Sequence, residues 1–262
     1  MVPRSRASLA SWISRAAVLA GASLLLGQPA RSATADAAAL STQLQQALNA
    51  DDNVEALSVL MDPEQAATLL DSFQRFSSRF PVTRWRVRPG DATADGRPTV
   101  KLAVTGTRQQ DGLSYSFSAH QRLAFSTAAG LITGQEVLSD QSVLTSAEKP
   151  LPISLMIPDT VLTGSRYDVD VVLDQPLGKA LLAGGLTAVS PEQVLAQKSP
   201  IIQLAPLGGG GLFKSVQAPF QPGVQTWAAL LVHPDGVITV SKQVQVVDDR
   251  PVSYTHLTLP TT

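Results

Sequence analysis

The chain has 262 residues, no cysteine, three histidines, and eighteen each of Gly and Pro. Those counts suit one or two soluble, strand-rich domains and exclude disulfides, thiol nucleophiles and thiolate metal sites. Twenty basic against twenty-one acidic residues give a net charge of −1, so the chain as a whole has no pull toward nucleic acid or an anionic membrane.

Residues 1–35 have the layout of a secretory signal peptide. Arg4, Arg6 and Arg15 precede an apolar run from Ala16 to Leu26, and Ala33-Thr34-Ala35 offers a small-residue cleavage site. The run falls short of the roughly 20 residues that span a bilayer, so no integral membrane segment is expected after cleavage. Removing it takes away four arginines and leaves sixteen bases against twenty-one acids, a net charge of −5. The expected location is therefore the periplasm, a thylakoid lumen or the exterior.

From Asp36 to Ala50, Leu40, Leu44, Ala47 and Leu48 recur at helical spacing. A short helix is predicted over Asn53 to Leu60. Asp62-Pro63-Glu64-Gln65 then reads as a helix start, with a capping acid and proline at the first helical position. That third helix carries Ala66, Leu69, Leu70, Phe73 and Phe76 on one stripe and stops before Pro81.

Val82 to Arg88 alternates Arg84, Arg86 and Arg88 with Thr83, Trp85 and Val87, the pattern of a strand with one wet face. Val100, Leu102 and Val104 begin the next strand, which turns at Gln109 to Gly112. Leu113, Tyr115, Phe117, Ala119, Gln121, Leu123 and Phe125 share one face of a third, and a turn at Ala129-Gly130 leads to a fourth from Leu131 to about Leu144. The expectation is an antiparallel meander covered by the preceding helices.

Beyond a polar joint at 147–150, residues 151–249 read as short strands divided by turn residues: Ile153 to Ile157, Arg166 to Leu173, Gly185 to Val189, Ile201 to Ala205, Leu212 to Gln217, Val224 to His233 and Val237 to Val247. Seven short strands suit an immunoglobulin-like β-sandwich without its cysteines. Val252 to Thr262 is out of character with the rest and reads as translated adapter sequence, so His256 carries no argument.

The order of three helices and a curved sheet, with the Phe-rich third helix, Arg84-Trp85-Arg86-Val87 and Gly130 to Val137, resembles the NTF2-like superfamily over residues 36–146. The resemblance implies an α+β fold, an NTF2-like cone of three helices and a curved antiparallel sheet around a pocket, here followed by the all-β sandwich. The whole mature chain is also similar to uncharacterised exported proteins of cyanobacteria. Enzymes of the superfamily place a carboxylate or histidine base in the cone, with a tyrosine or acid to hold oxyanion charge. Here the dry face offers Tyr115 and Gln121, His120 falls on the opposite face, and Glu136 or Asp140 would enter only if a bulge at Gly134 rotated the register.

Other patterns read as structure. Gly208 to Ser215 has the glycines of a phosphate loop, but Phe213 precedes Lys214 and strands flank it. Asp168, Asp170, Asp174 and Asp159 lack the alternating ligands and turning glycine of a calcium loop. His120 and His233 have no acid or serine at triad or zinc spacing. No cofactor or metal site follows from this.

Ser72 to Phe125 holds nine bases, among them Lys101 and Arg122, against Asp91, Asp95 and Asp111. Arg84, Arg86 and Arg88 are therefore candidate binders of an anion or acidic partner. The function expected is non-enzymatic binding of a protein or of a small hydrophobic or anionic ligand. A small-pocket isomerase or dehydratase using Tyr115 with Glu136 or Asp140, and a structural role at the envelope or thylakoid lumen, are the alternatives.

Overall fold

The computed structural model describes residues 30–110, 112–147, 151–175, 180–196 and 198–248. Most of the signal-peptide segment, most of the 147–150 joint and the whole 252–262 tail lie outside the described residues.

Three helices come first: α1 (Ala30–Leu48), α2 (Asn53–Ser58) and α3 (Pro63–Arg79). The start of α3 follows the sequence signal. Asp62 is extended, and its carboxylate accepts from the Glu64 backbone N–H at 3.0 Å, with Pro63 at the first helical position.

Four long antiparallel strands follow: β1 (Val82–Gly90), β2 (Thr99–Gln110), β3 (Leu113–Ala128) and β4 (Leu131–Ala147). The β3–β4 turn is closed by the pair Ala128↔Leu131, and both residues between them have positive φ, Ala129 at 51° and Gly130 at 83°. That geometry matches the twist of the flanking strands in a two-residue hairpin.

The second half contributes β5 (Ile153–Met156), β6 (Thr160–Leu162), β7 (Arg166–Leu173), β8 (Leu182–Val189), α4 (Pro191–Leu195), β9 (Ala205–Leu207), β10 (Gly211–Gln217), β11 (Gly223–His233) and β12 (Gly236–Val247). The strand expected at Ile201 to Ala205 is absent, and β9 begins where it was to end.

The expected fold class, an α+β NTF2-like cone of three helices and a curved sheet followed by an immunoglobulin-like sandwich, is overturned. The described chain is predominantly β, and its meander does not close around a helix as a cone. It continues instead through β4, paired antiparallel with β12, into a nine-stranded sheet ordered β1-β2-β3-β4-β12-β11-β8-β9, with β6 joined parallel to β12. Local periodicity identified the strands, but it carries no information on which distant strand takes the free edge of β4.

This sheet is covered on opposite faces at its two ends. On one face of β1–β4, Leu40, Leu44 and Leu57 from the helices meet Val87, Val100, Leu123 and Phe125. Each such large side chain contributes about 1.5–3 kcal/mol when removed from water. Phe76 and Phe80 extend this core onto Phe117, with ring centroids 5.2 Å apart in each pair.

The other face is covered over β12, β11 and β8, and at Val143 and Ala147 of β4, by a three-stranded sheet ordered β10-β7-β5. Cross-strand partners share a face. The row Arg84↔Thr105↔Ser118↔Val143↔Val240↔Ala229↔Leu186 therefore runs along one face, from exposed arginine to buried sandwich core. The β1–β3 part of that face has no such cover.

Candidate functional site

On the face of β1–β4 away from the helices lies a concave groove of about 640 Å³ whose inner end reaches Lys242 of β12 and Asp159, the residue just before β6. Two neighbouring cross-strand rows form its floor. One is Arg88↔Lys101↔Arg122↔Ser139, and the other is Arg86↔Ala103↔His120↔Gln141↔Lys242.

Strand alternation explains why these side chains face together, since successive residues point to opposite sides and Trp85, Val87, Val100, Leu102, Gln121 and Leu123 take the helix side. Arg88, Lys101 and Arg122 therefore stand side by side on adjacent strands about 4.8 Å apart. All three are exposed, and none forms an ion pair or side-chain hydrogen bond among the described residues. Like charges directly opposite one another cost a sheet stability.

Other bases of the same stretch are committed elsewhere. Arg75 pairs with Asp71 at 2.8 Å, and Arg97 with Asp95 and Glu136, each at 2.7 Å. The Arg108 guanidinium lies 4.6 Å from the Tyr115 ring centroid and 5.3 Å from that of Phe80. Partial burial, with Arg108 and then Arg75 nearby, lowers the Arg79 pKa. At Arg97, burial works against the charge but is outweighed by hydrogen bonds to Glu136 and Asp95, so its pKa rises.

Of the three candidate arginines, Arg86 and Arg88 line the groove, while Arg84 lies on the same face but one row beyond its walls. Lys101, His120, Arg122 and Lys242 join them. Lys242 was not singled out from the sequence. Its signal was a lysine in the same alternation phase as Ile238, Val240, Val244 and Val246, a phase that requires a buried cation to find a partner. The structure supplies Asp159, whose carboxylate pairs with the Lys242 ammonium.

The catalytic candidates do not form one centre. Glu136 is exposed on the outer face and held by Arg97. Asp140 does turn inward, and β4 carries two irregularities on the way: Ser126 pairs with Gly134 and Thr127 with Ile132, so Thr133 is an extra residue beside the Gly134 where a bulge was expected. Arg122 pairs with Ser139 and Leu123 with Val137, so Leu138 is an extra residue that shifts the phase of β4. Asp140 is consequently buried, and Gln121 Nε2 donates to its Oδ1 at 3.2 Å.

Tyr115 pairs with Ser146, six residues along from the Gln121↔Asp140 pair, or about 20 Å at strand rise. A tyrosine donor acting beside Asp140 is therefore excluded by distance. Between α3 and the sheet lies an apolar cavity of about 160 Å³ walled by Leu70, Phe73, Trp85, Leu102 and Leu123; Gln121 reaches it, and Asp140 is not among its wall residues.

The remaining patterns are structural here. Gly211 to Gln217 forms β10, so Lys214 lies on a strand, with its ammonium 5.4 Å from the Trp227 ring centroid. A side chain at Gly211 would meet the Val171 carbonyl oxygen at 2.5 Å, so that glycine serves strand contact. Asp168 and Asp170 lie on β7 opposite Ser215 and Phe213. His233 sits at the β11–β12 turn, 3.5 Å from Asp235.

Among the described residues, no helix is long and apolar enough to cross a membrane. A family described as a domain of unknown function (DUF8623) matches residues 148–247, the part that holds β5 to β12. No curated protein matches the chain. The matched segment is thus similar to that family, and the groove-forming strands β1 to β4 precede it.

Proposed function

We propose that the protein is an exported, non-enzymatic binding module whose basic sheet face receives an anionic ligand or partner. The observation that carries this reading is the row Arg88↔Lys101↔Arg122, three cations on neighbouring strands of a concave face with no carboxylate among their cross-strand partners. A face serving stability alone gains from alternating the sign of charge across strands. Export rests on the pattern of residues 1–35.

The enzyme alternative draws on the inward, buried Asp140. The donor beside that acid is the Gln121 amide rather than a tyrosine, and the apolar cavity presents glutamine and serine as its polar groups. Proton transfer needs a base within reach of substrate.

Retention on a phosphate-bearing resin tests the binding reading. A chain without net positive charge should nevertheless be held at low salt and released as salt screens the face. The double variant R88E/R122E should elute in the flow-through with its melting temperature preserved. Flow-through of the unaltered protein, or equal retention of the variant, would remove the proposal.

A further inference from the structure

Asp159 is the one carboxylate among the described residues lining the groove, and its pairing is unequal. Its side chain is 59% exposed, whereas that of its partner Lys242 is 6% exposed. Lys242 ends the row that begins at Arg86 and stands opposite Trp227 on β11, where the groove meets the sandwich core. The backbone beneath the carboxylate is pinned, because the Asp159 carbonyl accepts from the Gln245 N–H at 2.8 Å.

A buried ammonium needs an anion beside it at all times, because its desolvation is otherwise uncompensated. An exposed carboxylate has no such need and can return to water at little cost. The pair therefore offers a permanent cation with an exchangeable counter-ion. The other groove cations are exposed; at about 4.8 Å per strand the row from Arg88 to Arg122 spans about 10 Å, and Lys242 on β12 lies about as far again beyond Arg122, across β4. A concavity of 640 Å³ is the size of a small-molecule site. Its only ring-bearing side chain among the described residues is His120, so it has no platform for stacking bases.

Resting on the binding reading above, we infer that the ligand is a compact multivalent anion, a polyphosphate or polycarboxylate. One of its charges takes the place of the Asp159 carboxylate on Lys242 while the others meet Arg122 and Lys101, with Arg88 adding positive field at the far end of the row. Asp159 is then the resident counter-ion that the ligand displaces, and it sets how tightly the site competes for anions. The step is an exchange of ion pairs and needs no covalent chemistry.

Calorimetric titration with tripolyphosphate and with citrate tests this on the unaltered protein, on D159N and on R88E/R122E. The unaltered protein should bind at least one probe, D159N should bind it roughly three- to fivefold tighter by release from an exposed ion pair, and R88E/R122E should lose binding. Independently, the Asp159 carboxyl 13C resonance should shift when the probe is added to the unaltered protein. If R88E/R122E weakens binding while D159N leaves it unchanged or weaker and the Asp159 resonance stays in place, the displacement is wrong and the basic-face reading stands. If retention on phosphate resin persists but neither probe binds, the compact-ligand class is wrong. If resin and probes all fail, the basic-face reading falls with it.

Discussion

Trp227 donates its indole N–H to the Tyr167 hydroxyl at 2.9 Å, and that hydroxyl donates onward to Gln225 Oε1 at 2.5 Å. Trp227 and Gln225 belong to β11 of the large sheet and Tyr167 to β7 of the small one, so one hydroxyl ties the two layers together. Tyr167→Phe would leave a buried indole N–H without its acceptor and should cost about 1–3 kcal/mol in urea unfolding.

The same tyrosine gives an alkaline signature. Burial pushes the Tyr167 pKa above its ordinary value of 10, partly offset by the hydrogen bond from Trp227. The folded state then keeps its proton longer than the unfolded chain, so this contribution is full below about pH 10 and is lost as pH rises through the folded value. Stability of the unaltered protein should decline above that point more steeply than stability of Y167F. Equal slopes would show that Tyr167 does not drive the decline.

The outer edge of β1 is closed by side chains at the end of α1 and just past it. Asn49 Nδ2 donates to the Trp85 carbonyl and Asn49 Oδ1 accepts from the Trp85 N–H, both at 3.1 Å, while Gln45 Oε1 accepts from the Val87 N–H at 2.9 Å. Two amide side chains thus take the place of a neighbouring strand, which guards an exposed edge against pairing with another chain. The N49A/Q45A variant should lose amide-exchange protection at Trp85 and Val87 and show more self-association by light scattering. Unaltered protection at both amides would mean that the edge is closed by something else.

The Gln121–Asp140 contact should behave as a coupled structural pair. Asp140→Ala should destabilise the fold by about 1–3 kcal/mol, because it removes a buried carboxylate that holds the half-buried Gln121 amide. The double change Q121A/D140A should cost less than the sum of the single changes. Chemical denaturation of the four proteins measures this, and strict additivity would contradict a direct interaction.

Much of the fold was legible where one period governed one element. The face carrying Tyr115, Phe117, Gln121 and Phe125, the arginine alternation of β1 and the Asp62-Pro63 helix start all lie as local pattern dictates. The Leu138 bulge was not legible, because an inserted residue inverts the phase without changing composition. Nor was the β4–β12 pairing, which matches Val143 with Val240 across almost a hundred residues of sequence. That pairing decides the architecture and brings Lys242 to the end of the basic row. The arginines of the site were visible on one strand, but the convergence of Lys101, Arg122 and Lys242 on them depends on register between strands.

The central claim makes stability and binding move in opposite directions at Lys101. Lys101→Glu places an acid between Arg88 and Arg122, converting two like-charge pairs into two opposite-charge pairs, each worth roughly 0.2–1 kcal/mol. The most direct measurement is therefore the affinity of K101E for tripolyphosphate, taken alongside its melting temperature. The account predicts a higher melting temperature and at least about a tenfold loss of affinity, since the central cation of the row is reversed. Affinity equal to that of the unaltered protein would contradict it.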